Sequence, residues 1–130
     1  MANPQKAKGD RAELRAAELL SQKLGIRVRR KLGAGRADDV GDLDGVPDTV
    51  VQVKHYNDLA RAVINGVDDA ERNQGHARAR FGLALVRMPR RPRWFVVMSV
   101  EQLVELLEEA IPEELAKLRA ERALELEEEQ

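Results

Sequence analysis

At 130 residues, with 43% hydrophobic and 35% charged side chains, the chain has material for one folded core and is too apolar to stay disordered. It contains no cysteine, which excludes disulfides, thiolate zinc sites and a cysteine nucleophile. The net charge of −1 hides a split: residues 1–36 hold ten Lys/Arg against three Asp/Glu, a net +7, and residues 99–130 hold three against eleven, a net −8.

In chain order, Lys6 to Leu24 reads as an amphipathic helix, with Leu14, Ala17, Leu20 and Leu24 on one face and Gly25 placed to end it. Ile26-Arg27-Val28-Arg29 alternates as a half-buried strand does. Gly33-Ala34-Gly35-Arg36 predicts a loop, followed by a strand near Val40 to Leu43, a turn at 45–48 and a strand from Thr49 to His55. Asp58 is placed to cap a helix from Leu59 to about Arg80, with Leu59, Ala62, Val63, Val67 and Ala70 on its apolar side. Phe81–Val86 and Trp94–Met98 are apolar strands. Ser99 and Gln102 form a capping-box pattern before a helix Val100–Ala110, and Pro112 starts a last helix from Glu113 to Glu127.

The order α-β-β-β-α-β-β-α plus a terminal acidic helix predicts an α/β fold, a mixed central sheet of about five strands flanked by helices. Residues 1–110 are expected to form the domain and 111–130 a charged helix or tail. No apolar run reaches membrane-spanning length and the first residues carry no signal-peptide h-region, so the expectation is a cytoplasmic protein without a membrane partner.

Chemistry concentrates on the strand at 49–55. Strand side chains alternate, so Gln52 and Lys54 share one face while Val51 and Val53 point to the other. Asp42, ten residues earlier, offers a carboxylate across the turn. A hard divalent cation takes oxygen ligands and keeps several waters, so a few protein oxygens near a lysine suffice to bind it and activate a water. A strict four-residue connection at 45–48 would set Asp42 opposite Val51; a site with Gln52 calls for an odd register or a bulge, which is the expectation here. Asp48 reads as a turn residue; Asp44, on the Asp42 face but beside Gly45, reads first as serving the turn, with an alternate-ligand role left open. The basic first third, the loop at 33–36 and the six arginines between Arg78 and Arg93 offer phosphate partners, whose contacts position a duplex without reading sequence. With aromatics at 3%, base stacking is not the expected binding mode.

Taken together, Lys8-Gly9 with Glu13, the loop Gly33-Ala34-Gly35-Arg36, Gly41-Asp42, Gln52-Val53-Lys54, and Asp58-Leu59-Ala60 running on to Asp69-Ala70-Glu71 and Asn73 resemble a Holliday-junction resolvase of the PD-(D/E)XK nuclease superfamily, in its archaeal and phage branch. The likeness spans about residues 6–107. It implies a restriction-endonuclease-like core, a magnesium- or manganese-dependent endodeoxyribonuclease acting on branched or duplex DNA, and a homodimer. Carried over by position, the catalytic set is Glu13, Asp42, Gln52 and Lys54. The metal would be held by Asp42, Gln52, the carbonyl of Val53 and Glu13. DNA would be met by Lys8, Arg11, Arg29, Arg30, Lys31, Gly35, Arg36, His55, Gln74 and Arg78. Gln52 departs from the pattern, standing where the second acid is usual. Two alternatives therefore stay open: a different nuclease of this fold acting on duplex DNA, and a DNA-binding protein that keeps the fold with weakened or no catalysis.

Overall fold

In a computed structural model, residues 4–31, 42–55, 58–87, 90 and 93–129 are described, without the side chains of residues 4–8. The element order is α1 (Pro4–Leu24), β1 (Arg29–Arg30), β2 (Leu43–Asp44), β3 (Thr49–Lys54), α2 (Leu59–Ala77), β4 (Phe81–Arg87), β5 (Trp94–Val97), α3 (Val100–Ala110) and α4 (Pro112–Glu128). The sequence of helices and strands is the one the patterning predicts. The sheet is smaller than expected. β3, β4 and β5 form a three-stranded mixed sheet, parallel between β3 and β4 and antiparallel between β4 and β5, while β1 and β2 form a separate antiparallel pair.

The break between the two sheets lies at Asp42. Its N–H donates to the Val51 carbonyl at 3.0 Å, and its own carbonyl accepts from the Lys31 N–H at 2.9 Å. In a regular strand both groups of one residue point the same way. Here they point to opposite neighbours, so the chain bends and β2 does not continue along β3. The bond to Val51 also sets Asp42 level with that residue, the register of a strict four-residue connection rather than the odd one expected. Gly45 and Asp48 make the turn at φ 111° and 53°. A Cβ on Gly45 would meet the Arg27 carbonyl. Asp48 is a turn residue as expected: its carboxylate accepts from the Arg80 N–H at 2.9 Å and its carbonyl from the Phe81 N–H at 3.1 Å, joining the start of β3 to that of β4.

The first core cluster joins Ala12, Ala16 and Ala17 of α1 to Val28, Leu43, Val51, Val53 and Leu85, with Leu20 and Trp94 packed against it. The apolar face of α1 is thus rotated from the expected one: Leu14 and Leu24 are exposed and alanines face the sheet. Small side chains bring a helix axis close to a strand. The second cluster, Ala62, Ala84 and Val86 with Leu59 and Val97 against it, lies under α2. α2 begins at Asp58, whose carboxylate accepts from the Arg61 N–H at 3.2 Å, and ends with Arg78 in the left-handed region at φ 54°. Gly66 does not break this helix. It marks close approach, since a Cβ there would stand 2.8 Å from the Ala84 Cβ.

The chain divides into two compact units, residues 1–99 and 100–130, so α3 belongs with α4 rather than with the sheet. In the second unit Pro112 opens α4, an Arg119–Glu108 ion pair of 3.0 Å links the two helices, and none of their residues is buried. No helix among the described residues is long and apolar enough to cross a membrane.

Candidate functional site

β3 presents its two faces to two different helices, and this sorts the residues singled out in the sequence. Val51 and Val53 lie in the α1 core. Gln52 and Lys54 pair in register with Ala84 and Val86, which face α2. The Lys54 stem lies 3.3 Å from where a Gly66 Cβ would stand. Gln52 and Lys54 do share a face, as alternation requires, but Gln52 is only 4% exposed, and it and Asn73 are the buried polar residues described. The Lys54 ammonium donates to Asp69 Oδ2 at 2.6 Å, and the other oxygen of Asp69 accepts from Arg72 at 2.5 Å.

Asp42 approaches β3 along its edge. Oδ2 accepts from the Val53 N–H at 2.8 Å. Because Val53's carbonyl points to the same side of the strand as its N–H, the Asp42 carboxylate and this carbonyl oxygen belong to one edge. Two carboxylates from α1 form the neighbouring group. Asp10 and Glu13, one turn apart and so on the same helix face, both accept from Arg30 of β1: Nη2 to Asp10 at 2.6 Å and Nε to Glu13 at 2.8 Å. The Arg30 guanidinium is held above its ordinary pKa, first by its bond to Glu13 and, against the cost of burial, by the charges of Asp10, Glu13 and Asp42.

The structure thus joins Asp42 to Val53, joins Asp10 and Glu13 through Arg30, and sets Gln52 and Lys54 on the α2 face with Asp69. Sequence reasoning missed Asp10, whose signal is its three-residue spacing from Glu13, and Asp69 as the partner of Lys54. Neither pairing has a signal in spacing alone, because each joins elements 15 to 20 residues apart. Among the described residues no three His, Cys, Asp or Glu are gathered closely enough to hold an ion by themselves. A hard cation here would rely on Asp42, main-chain oxygen and water, a donor set magnesium accepts because it keeps much of its hydration.

The expected phosphate partners separate as well. Arg11 and Arg29 are exposed, Arg29 lying 3.8 Å from Asp44. Lys31 and His55 are half-buried. Arg30 is occupied by carboxylates. Gln74 donates to the Arg80 carbonyl at 2.8 Å, which ties it to the end of α2, and Arg78 is that helix's C-cap with its side chain exposed. The Lys8 side chain, Gly35, Arg36 and the rest of the loop at 33–36 lie outside the described residues. Trp94 packs on the core, whereas Phe95 is 39% exposed beneath the Arg93 guanidinium, 5.2 Å from the ring centre.

The fold and site define a mixed α/β domain in which carboxylates of α1 pair with Arg30 of β1 and the Asp42 carboxylate, just before β2, meets the edge of β3. No family model, curated protein or solved structure matches the chain.

Proposed function

We propose that the chain is a metal-dependent endodeoxyribonuclease that hydrolyses phosphodiesters in branched DNA, four-way junctions above all, as a homodimer. The observation that carries this reading is the 2.8 Å approach of the Asp42 carboxylate to the Val53 N–H. It joins the isolated acid to the middle of the Gln52-Val53-Lys54 strand, as a nuclease centre of this layout requires. Asp42 and the Val53 carbonyl would hold the ion, with Glu13 reaching it directly or through water. A bound divalent cation supplies Lewis-acid polarisation of the phosphate and an acidified water. Lys54, one residue further along β3, contributes positive charge to the phosphate as negative charge builds on it. Asp69 orients the ammonium. The net +7 of residues 1–36 supports backbone contacts, and cutting two opposed strands of a junction calls for two sites related by twofold symmetry.

A second reading, junction binding without cleavage, is favoured by one observation: Gln52 is buried under α2 rather than open to the Asp42 edge. One experiment separates the readings. A synthetic four-way junction and a linear duplex are incubated with magnesium or manganese over a concentration series, using wild type, Asp42→Asn and Lys54→Ala. Junction-selective cleavage lost in both variants is the expected result. Equal cutting of both substrates would sink the junction assignment. The same background cleavage in all three proteins would leave only the binding reading.

A further inference from the structure

β5 ends the sheet with an unguarded edge: among the described residues no strand pairs with its outer side. Edge strands are ordinarily protected by a charge, a proline or a bulge, and Trp94-Phe95-Val96-Val97 has none of these. Apolar side chains stand out on both of its faces. Trp94 packs against the first core cluster and Val97 against the second, so alternation sets Val96 on the α1 side and Phe95 on the α2 side. Phe95 is 39% exposed and Val96 54%. Charge is distributed lengthwise: Arg90 and Arg93 precede the strand, and Glu101 and Glu105 follow it on α3.

A second copy of the same edge answers all three features. Laid antiparallel, two such strands exchange main-chain hydrogen bonds and cover each other's apolar side chains. The basic approach to one strand then lies beside the acidic exit from the other, whereas parallel pairing would set like charges side by side. Alternation also fixes the register. Two identical antiparallel strands are related by a twofold axis perpendicular to the sheet, which keeps the α1 side of one copy on the α1 side of the other. Residues facing each other across the join must therefore share a side, which leaves Phe95 or Val96 on the axis for a pairing centred on the strand. With Phe95 there, Arg93 would face the partner's Val97. With Val96 there, Trp94 faces the partner's Met98 and Phe95 the partner's Val97, so the join is apolar from residue 94 to 98.

We propose that β5 is the dimer interface of this protein, pairing antiparallel with β5 of a second copy so that two three-stranded sheets become one, with Val96 on the twofold axis. The inference rests on the homodimer in the function proposed above and adds the surface that forms it. A join through one short strand is small, so a dissociation constant on the order of micromolar is expected.

The chain has no cysteine, so one can be introduced as a reporter. Facing Cα atoms across an antiparallel join are about 4.5–5.5 Å apart, within reach of a disulfide. Val96→Cys, Phe95→Cys and Ile64→Cys, the last at a 61% exposed position on α2, are oxidised under identical conditions and run on a non-reducing gel. Val96→Cys is expected to give a covalent dimer as its main product, and the other two to stay largely monomeric. Faster linkage at 95 than at 96 would move the axis and overturn the register. Equal linkage at all three would mark random collision and overturn the interface. Sedimentation velocity over a concentration series then compares wild type with Val96→Lys, which puts a charge on the edge at an exposed position. The variant is expected to associate at least about tenfold more weakly, equivalent to about 1.4 kcal/mol. A dimer that Val96→Lys leaves unchanged would overturn the interface while the homodimer stands. A wild type that stays monomeric at every concentration would take down both.

Discussion

Gly66→Ala measures the contact on which the placement of Lys54 depends. The added Cβ would lie 2.8 Å from the Ala84 Cβ and 3.3 Å from the Lys54 Cγ. Carbon atoms rest at roughly 3.5–4.0 Å, so the first contact is about 0.7 Å too short. Ala84 is fully buried on the central strand and has no flexible end to give way. α2 must therefore lift from the sheet. Overpacking of this kind costs about 1–3 kcal/mol, while alanine in place of glycine in a helix returns about 1 kcal/mol. The net expectation is a loss of about 0–2 kcal/mol, too broad to interpret alone. Gly75 supplies the reference, since it is in the same helix and a Cβ there meets nothing within 4 Å. Gly75→Ala is expected to stabilise by up to about 1 kcal/mol. The difference between the two variants, about 1–3 kcal/mol, isolates the steric term. Urea unfolding followed by circular dichroism reads it as a shift in midpoint at constant slope. Equal stability of the two variants would refute the close approach of α2 to β4 at Ala84, beside the Lys54 stem.

Two further substitutions test the site and its frame. Gln52→Glu puts a carboxylate at a position 4% exposed; we expect a loss of about 2–4 kcal/mol that magnesium does not restore, and recovery of thermal stability with added magnesium would instead put residue 52 at the metal. Ser21 accepts from the Val28 N–H at 2.9 Å and donates to its carbonyl at 3.0 Å, so one hydroxyl stands in for a strand partner just before β1. Ser21→Ala is expected to cost about 1–3 kcal/mol in urea unfolding, and a loss below about 0.5 kcal/mol, the scatter of an ordinary surface substitution, would show that neither bond stabilises the fold.

Local signals were legible along the chain because they depend on neighbours in sequence. The spacing of apolar residues, Asp58 before a helix, Gly25 after one and Pro112 at the start of another all act within a turn or two, and each element lies within a few residues of where they put it. The alternation along Thr49–Lys54 likewise settled that Gln52 and Lys54 share a face. Which helix covers that face is not a local property. α1 lies on Val51 and Val53 because its alanines permit close packing, and α2 lies on Gln52 and Lys54 because Gly66 and Ala84 do the same there. The bend at Asp42, the bridge from Arg30 to Asp10 and Glu13, and the pairing of Lys54 with Asp69 each join segments that only packing brings together. Order along the chain settles which kinds of group are available: acids on the first helix and before the turn, glutamine and lysine on the strand, cations at the front. Packing settles which acids meet which cations, because an ion pair is set by distance in space and alternation sets only the side of a strand.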